Sequence, residues 1–122
     1  MVGYVTLGTN DLARATRFYD SLLELLGAKR LMELETFILW GTSLDEASLA
    51  ITKPYDGKAA TVGNGVMVAL HVQSKDAVDA LYKKALELGA QDEGAPGERL
   101  EGFYAAYFRD LDGNKLNAFF LG

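Results

Sequence analysis

The sequence has no cysteine. That absence excludes a disulfide framework, a thiolate metal site and a thiol nucleophile, although it fixes no compartment. Positive charge is also scarce: 12 Lys and Arg stand against 17 Asp and Glu, a net charge of −5. Nucleic-acid binding is driven by Lys and Arg clusters, so a phosphate backbone is not expected as partner. Arg14, Arg17, Lys83 and Lys84 are scattered among acids and read as solvated surface. No apolar run approaches the ~20 residues of a membrane span. The N-terminus lacks the basic, apolar and small-residue succession of a signal peptide. The expected location is the cytoplasm, with no membrane partner. What remains is ordinary for one globular domain, residues 1–122, with 49% hydrophobic and 24% charged residues. A chain of this size can bury a core without covalent staples.

The chain repeats itself weakly. "YVTLGTNDLARATRFYDSLLELLGA", residues 4–28, and "MVALHVQSKDAVDALYKKALELGA", residues 67–90, each open with an apolar run and reach a polar cap. Each continues at helical spacing and ends in Leu-Gly-Ala. With one residue of slack, Tyr4 falls opposite Met67, Leu7 opposite Leu70 and Gly8 opposite His71. In the first helix, expected after an Asn10 cap, Leu12, Ala15, Phe18, Tyr19, Leu22, Leu25 and Leu26 form one apolar face. Ser74 is the expected cap of the second, with Val78, Leu81, Tyr82, Ala85 and Leu88 as its stripe. Gly27 and Gly89 suit the left-handed turn that stops a helix.

Strand-like runs follow each helix: "KRLMELE", "TFILWGT" and "SLAITK" in the first half, "FYAAYFR" and "KLNAFFLG" in the second. A Gly- and Pro-rich loop, "EGAPGERLEG", is expected before the last two. The Asp-Gly of "DLDGN", residues 110–114, marks a hairpin between them. The order is strand, helix, three strands, repeated once, with module 1 at about 1–62 and module 2 at about 63–122. One helix per half must lie on one face of a mostly antiparallel sheet. Alternation sorts the side chains. Val5, Leu7, Leu49, Ile51, Val66, Val68, Leu70 and Val72 are expected against the helices. Tyr4, Thr6, Gly8, Ser48, Ala50, Thr52, Met67, Ala69 and His71 face away. The second set is smaller and more polar, which suits a ligand-sized hollow.

These segments resemble a known group. "TNDLARATRFYDSLLELLGAKRL" resembles the first helix of the vicinal oxygen chelate superfamily, which includes glyoxalase I, bleomycin resistance proteins and extradiol dioxygenases. "FYAAYFRDLDGNKLNAFF" resembles its closing hairpin, with Leu111 where proline is common. "GNGVMVALHVQSKDAVDALYKKALELGAQDEGAPG" resembles its second half. The resemblance implies an α+β fold. Two βαβββ modules would form a curled, mostly antiparallel eight-stranded sheet around a central cleft, with the helices outside. It also implies two metal ligands per module, usually His on the first strand and a carboxylate on the last. Those positions carry Tyr4, Ala50, Met67 and Asn117 here. Divalent metals of such sites need imidazole and carboxylate donors, so no metal or other cofactor is expected. His71 lies four residues past Met67 on the same face, displaced by about 13 Å. It is expected to face the cavity without serving as a ligand.

Three functions follow. The first is a metal-free small-molecule binder, with Tyr4, Trp40, Met67, His71, Arg99, Tyr104, Tyr107, Asn117 and Phe119 as candidate contacts. Trp40 and the tyrosines would stack on a planar ligand, Asn117 and His71 would orient it, and Arg99 would meet an anionic group at the rim. The net charge favours cationic or neutral ligands. Phe103, Phe108 and Phe120 read as core. The second is a metal-independent isomerase or lyase with His71 as general base. The third is a non-catalytic homodimer module, paired through strand edges such as "FILWGT".

Overall fold

The computed structural model describes residues 1–122. Contacts divide the chain into two compact units, Met1–Val62 and Gly63–Gly122. In the first, β1 (Tyr4–Gly8) leads to α1 (Leu12–Glu24), then β2 (Lys29–Glu33), β3 (Phe37–Gly41) and β4 (Ser48–Thr52). In the second, β5 (Val68–His71) leads to α2 (Lys75–Glu87), then β6 (Gln91–Leu100), β7 (Phe103–Arg109) and β8 (Lys115–Leu121). This is the βαβββ unit twice. Both helices have 13 residues and their starts are 63 apart, since 75 − 12 = 63. The same offset carries Tyr4 to Met67 and Gly8 to His71.

The strands form two four-stranded mixed sheets, ordered β1-β4-β3-β2 and β5-β8-β7-β6. This corrects the single eight-stranded sheet expected from the resemblance, because each module closes its own ladder. The closing pairs, β1 with β4 and β5 with β8, are parallel, and the remaining pairs are antiparallel. The "FILWGT" segment is also not an edge: β3 lies between β4 and β2. The edges are β1 and β2 in one sheet, β5 and β6 in the other.

Each helix buries its stripe on one face of its own sheet. Phe18, Tyr19 and Leu22 of α1 meet a core that includes Leu7, Ile38, Leu49 and Ile51. Val78, Leu81 and Ala85 of α2 are buried with Phe108, Leu116 and Ala118. Fully burying such side chains stabilises by roughly 1.5–3 kcal/mol each. Both helices stop alike. Ala28 N–H bonds Leu23 O at 3.1 Å, and Ala90 N–H bonds Ala85 O at 2.9 Å. The intervening Gly27 and Gly89 have φ of 74° and 101°, the left-handed stop that glycine adopts without penalty.

Local chemistry explains two departures from the sequence reading. The α1 cap is Asp11, whose carboxylate accepts from Arg14 N–H at 3.0 Å. Asn10 is occupied elsewhere: it accepts from Ala60 N–H at 2.7 Å and donates to Ala60 O at 3.3 Å. The α2 cap is Ser74, which accepts from Ala77 N–H at 3.0 Å. Residues 93–100 of the Gly- and Pro-rich stretch expected as a loop, 93–102, fall within β6, whose register with β7 shifts three times. An edge strand tolerates both the bulges and Pro96. The closing hairpin forms as expected. Asp110 accepts from the backbone N–H of Asp112 and of Asn114, each at 2.9 Å, and Gly113 takes φ 89°.

Candidate functional site

Covering one face of each sheet with a helix leaves the other face for function, and the strand registers say which side chains it carries. In module 1, Thr6 pairs with Ala50, and Ala50 with Leu39. These residues, with Tyr4 and Phe37, occupy the face opposite α1. Tyr4 is 56% exposed and meets Phe37 edge-on, ring centroids 5.9 Å apart. Tyr4, Thr6, Met32, Leu34, Phe37 and Thr52 help to line an open hollow of about 890 Å³. That volume suits a small organic molecule.

In module 2, Ala69 pairs with Asn117 and His71 with Phe119, while Asn117 also pairs with Tyr107. The face opposite α2 therefore carries His71, Phe119 and Phe103 as a run of rings. His71 and Phe119 lie 5.1 Å apart, and Phe119 and Phe103 are stacked at 5.6 Å. Beside them, Arg99 and Lys115 lie over the Tyr107 ring, at 5.4 Å and 5.5 Å from its centroid. Arg109 is also on this strand face, but it is paired with Glu93. Asn117 is 1% exposed, and its Oδ1 has no hydrogen-bond partner. Such an orphaned acceptor costs roughly 1–3 kcal/mol, so a native protein that keeps one calls for an explanation.

The structure thus brings His71, Arg99, Tyr107, Asn117 and Phe119 to the face of module 2 opposite α2, with Asn117 buried there, and Tyr4 to that of module 1; Met67 precedes β5 and is 39% exposed. It places Trp40 and Tyr104 on the helix sides. Trp40 is 1% exposed. Its ring lies 5.7 Å from that of Tyr19, and its Nε1–H donates to Asp20 Oδ1 at 2.9 Å. Arg30 grips the same carboxylate through Nε at 2.9 Å and Nη2 at 2.5 Å. The Arg30 guanidinium, foremost, and the Trp40 indole hold Asp20 below the usual carboxylate range, against the opposing effect of burial. Tyr104 donates to Asp79 Oδ1 of α2 at 2.6 Å, and that carboxylate raises the phenol's pKa. Lys75 covers its ring.

Sequence reasoning passed over Phe37, Met32, Lys115 and Phe103, the last assigned to the core. The alternation of side chains already holds the signal for two of them. Phe103 shares the parity of Tyr107, and Lys115 that of Asn117 and Phe119.

The sequence matches the family model of the Glyoxalase/Bleomycin resistance protein/Dioxygenase superfamily over residues 1–118. The chain belongs to this superfamily. A glyoxalase/bleomycin resistance protein from Albidiferax ferrireducens T118 is 34% identical, with 98% of this chain and 97% of that one covered and a TM-score of 0.89. A glyoxalase/bleomycin resistance protein/dioxygenase family enzyme from Burkholderia phytofirmans PsJN is 20% identical over 96% and 95% of the chains, with a TM-score of 0.77. The fosfomycin resistance protein FosX of Mesorhizobium loti is 18% identical over 100% and 92%, with a TM-score of 0.70. At those two identities the likeness is one of fold. No curated protein matches the sequence.

The metal implied by the superfamily can be tested against the donors this chain offers. At the corresponding positions Tyr4 has a phenol, Ala50 a methyl group, Met67 a thioether and Asn117 a neutral amide. No group of three or more His, Cys, Asp or Glu side chains is placed to hold an ion. A divalent cation would find no carboxylate at those four positions to offset its desolvation. The residues present do not fit a divalent metal.

Proposed function

We propose that this superfamily member is a metal-free small-molecule binding protein that uses the open faces of its sheets. The observation that carries this reading is the donor set just described: Tyr4, Ala50, Met67 and Asn117 replace metal-ligating chemistry with a phenol, two apolar groups and an amide. Those groups suit an organic ligand, as do the apolar and aromatic walls with few polar anchors around them. Tyr4 serves as an aromatic wall of the module 1 hollow. Met67, His71 and Phe119 form walls in module 2, and Arg99 and Tyr107 supply polar contacts. His71 is assigned to binding because its partner is the Phe119 ring, a tilted ring contact at 5.1 Å. The alternative, a His71 general base, requires a partner that orients the imidazole toward a reacting atom.

The protein is further proposed to act as a homodimer. The open face of module 1 exposes Tyr4, Met32 and Leu34 around one hollow, a concentration of apolar surface that favours association. The test of binding is protein-observed NMR with a mixture of small organic fragments. Shifts confined to backbone amides of β1, β3 and β4 or of β5, β7 and β8 are expected. Fragments that moved only helix-surface amides, or none, would reject the reading. Light scattering after gel filtration gives the mass, with twice that of one chain expected.

A further inference from the structure

The hollow of module 1 is lined only by residues between Tyr4 and Gly57, and its charge pattern deepens the binding reading above, on which it rests. Among the lining residues only Lys53 is charged, and none is an acid. On a chain with a net charge of −5, that is a local exception. Lys53 has no ion pair: the salt bridges join Arg30 to Asp20 and Glu33, and Arg109 to Glu93. The neighbouring acids do not meet it. Asp56 accepts from Lys58 N–H at 2.9 Å. Glu35 lines a separate hollow beside α1, which Lys53 also borders, and forms no salt bridge there.

Backbone bonds fix where Lys53 stands. Its N–H donates to Thr36 O at 2.9 Å, and Thr36 directly precedes Phe37 at the start of β3. The residue before it, Thr52, pairs with Phe37 in the β3–β4 ladder. Just beyond it, Gly57 N–H donates to Pro54 O at 3.1 Å, and Gly57 takes φ 75°. This tight turn supplies the part of the wall formed by Pro54, Tyr55 and Gly57. The aromatic part is the pair Tyr4 and Phe37, whose planes stand at 86°. Such a pair presents both a face and an edge to a third ring. The hollow thus combines an aromatic corner with a single cation anchored next to Phe37.

We propose that the module 1 hollow binds an aromatic acid, with its ring against Tyr4 and Phe37 and its carboxylate at the Lys53 ammonium group. The volume of about 890 Å³ leaves room for a fused or two-ring acid. Burial of the rings supplies most of the affinity. The hollow is open to water, so the ion pair is partly hydrated and acts mainly as a selector of charge. This reverses the ligand charge expected from composition. A cation bordering the hollow acts on the ligand at contact range, while acids spread over the surface are screened beyond about 8–10 Å.

The probes are 2-naphthoate, its neutral amide 2-naphthamide, the cation 2-naphthylmethylamine, and decahydro-2-naphthoate, which keeps the charge without the aromatic rings. Titrations followed through the backbone amides of β1, β3, β4 and residues 53–57 give affinity and location together. 2-Naphthoate is expected to bind about fivefold more tightly than the amide, the upper end for a partly exposed ion pair, and more tightly still than the amine. It should exceed the saturated acid by about two- to tenfold. Lys53→Met should remove the preference over the amide. Lys83→Met, the same change of charge on α2, should keep it. Tyr4→Leu should remove the preference over the saturated acid and keep that over the amide. Lys53 and Tyr4 are exposed, circular dichroism establishes that each variant is folded, and Lys53→Gln serves if Lys53→Met is not. Equal or tighter binding of the amide, the amine or the saturated acid would overturn this inference and leave the binding reading intact. A preference over the amide that survives Lys53→Met would do the same, as would no shift with any of the four while unrelated fragments shift these amides. No shift of any sheet amide with any molecule would overturn both.

Discussion

The Asp20 carboxylate holds together three elements of module 1, so its removal should be felt well beyond its own surface. It accepts the Trp40 indole N–H from β3 at 2.9 Å and binds Arg30 of β2, while sitting on α1. Asp20→Ala leaves a buried N–H unmatched. A hydrogen bond from such a group to a charged acceptor contributes about 1.5–3 kcal/mol. The ion pair is more than a third exposed on both sides, 37% and 36%, so screening limits it to about 0.2–1 kcal/mol. The expected loss is about 2–4 kcal/mol, a large part of the ~5–15 kcal/mol of a typical domain. Urea unfolding followed by far-ultraviolet circular dichroism measures it. In a Trp40→Phe background, which has no indole N–H, Asp20→Ala should cost only the ion-pair share. Acid gives a second check. The folded-state pKa of Asp20 lies below its ordinary value of 3.8, so the carboxylate stabilises above the unfolded value. That contribution fades as pH falls through the folded one. The gap between wild type and Asp20→Ala should therefore be constant from neutral pH to about pH 5 and narrow below about pH 4. A neutral-pH cost under about 0.5 kcal/mol, or the same cost in both Trp40 backgrounds, would refute the reasoning.

Three smaller predictions accompany it. Ser74→Ala removes the α2 cap and should cost about 1 kcal/mol in the same urea experiment. Asn117→Leu replaces an amide with an unmet, enclosed acceptor by an apolar side chain of similar size, so urea stability should hold or rise. A cost above about 2 kcal/mol would mean that the acceptor is satisfied. Tyr104→Phe, on the helix side, should leave the fragment-induced amide shifts of the sheet strands unchanged; their loss would place the Tyr104 hydroxyl in the site.

The sequence makes the helices legible because their apolar stripes, Ser74 cap and Leu-Gly-Ala stops all agree. The repeat is legible for the same reason, and it places Tyr4 and Met67 at equivalent strand positions. The closing hairpin is legible through Asp110 and Gly113. β6 is hidden because Gly94, Pro96 and Gly97 are turn formers in isolation, and only pairing with β7 makes them an edge strand. The cap shifts from Asn10 to Asp11 through a partner, Ala60, fifty residues away in the chain. On the sheet faces opposite the helices, alternation is enough to place Tyr4 and His71. It also separates Tyr104 from Tyr107, three residues apart on β7 and therefore on opposite sides. Trp40 follows the same rule once Ile38 is known to face α1. The unmet acceptor of Asn117, and the cations over Tyr107, depend on register and rotamer and have no signature in the sequence.

The most direct test of the account is the metal content of the purified protein after incubation with zinc, manganese, nickel and iron(II) and removal of excess by gel filtration. With a phenol, a methyl group, a thioether and an amide at the superfamily's ligand positions, the account predicts only traces of each metal per chain. It also predicts the same trace level in Tyr4→Phe and Asn117→Ala variants. One metal ion per chain, lost in those variants, would contradict it.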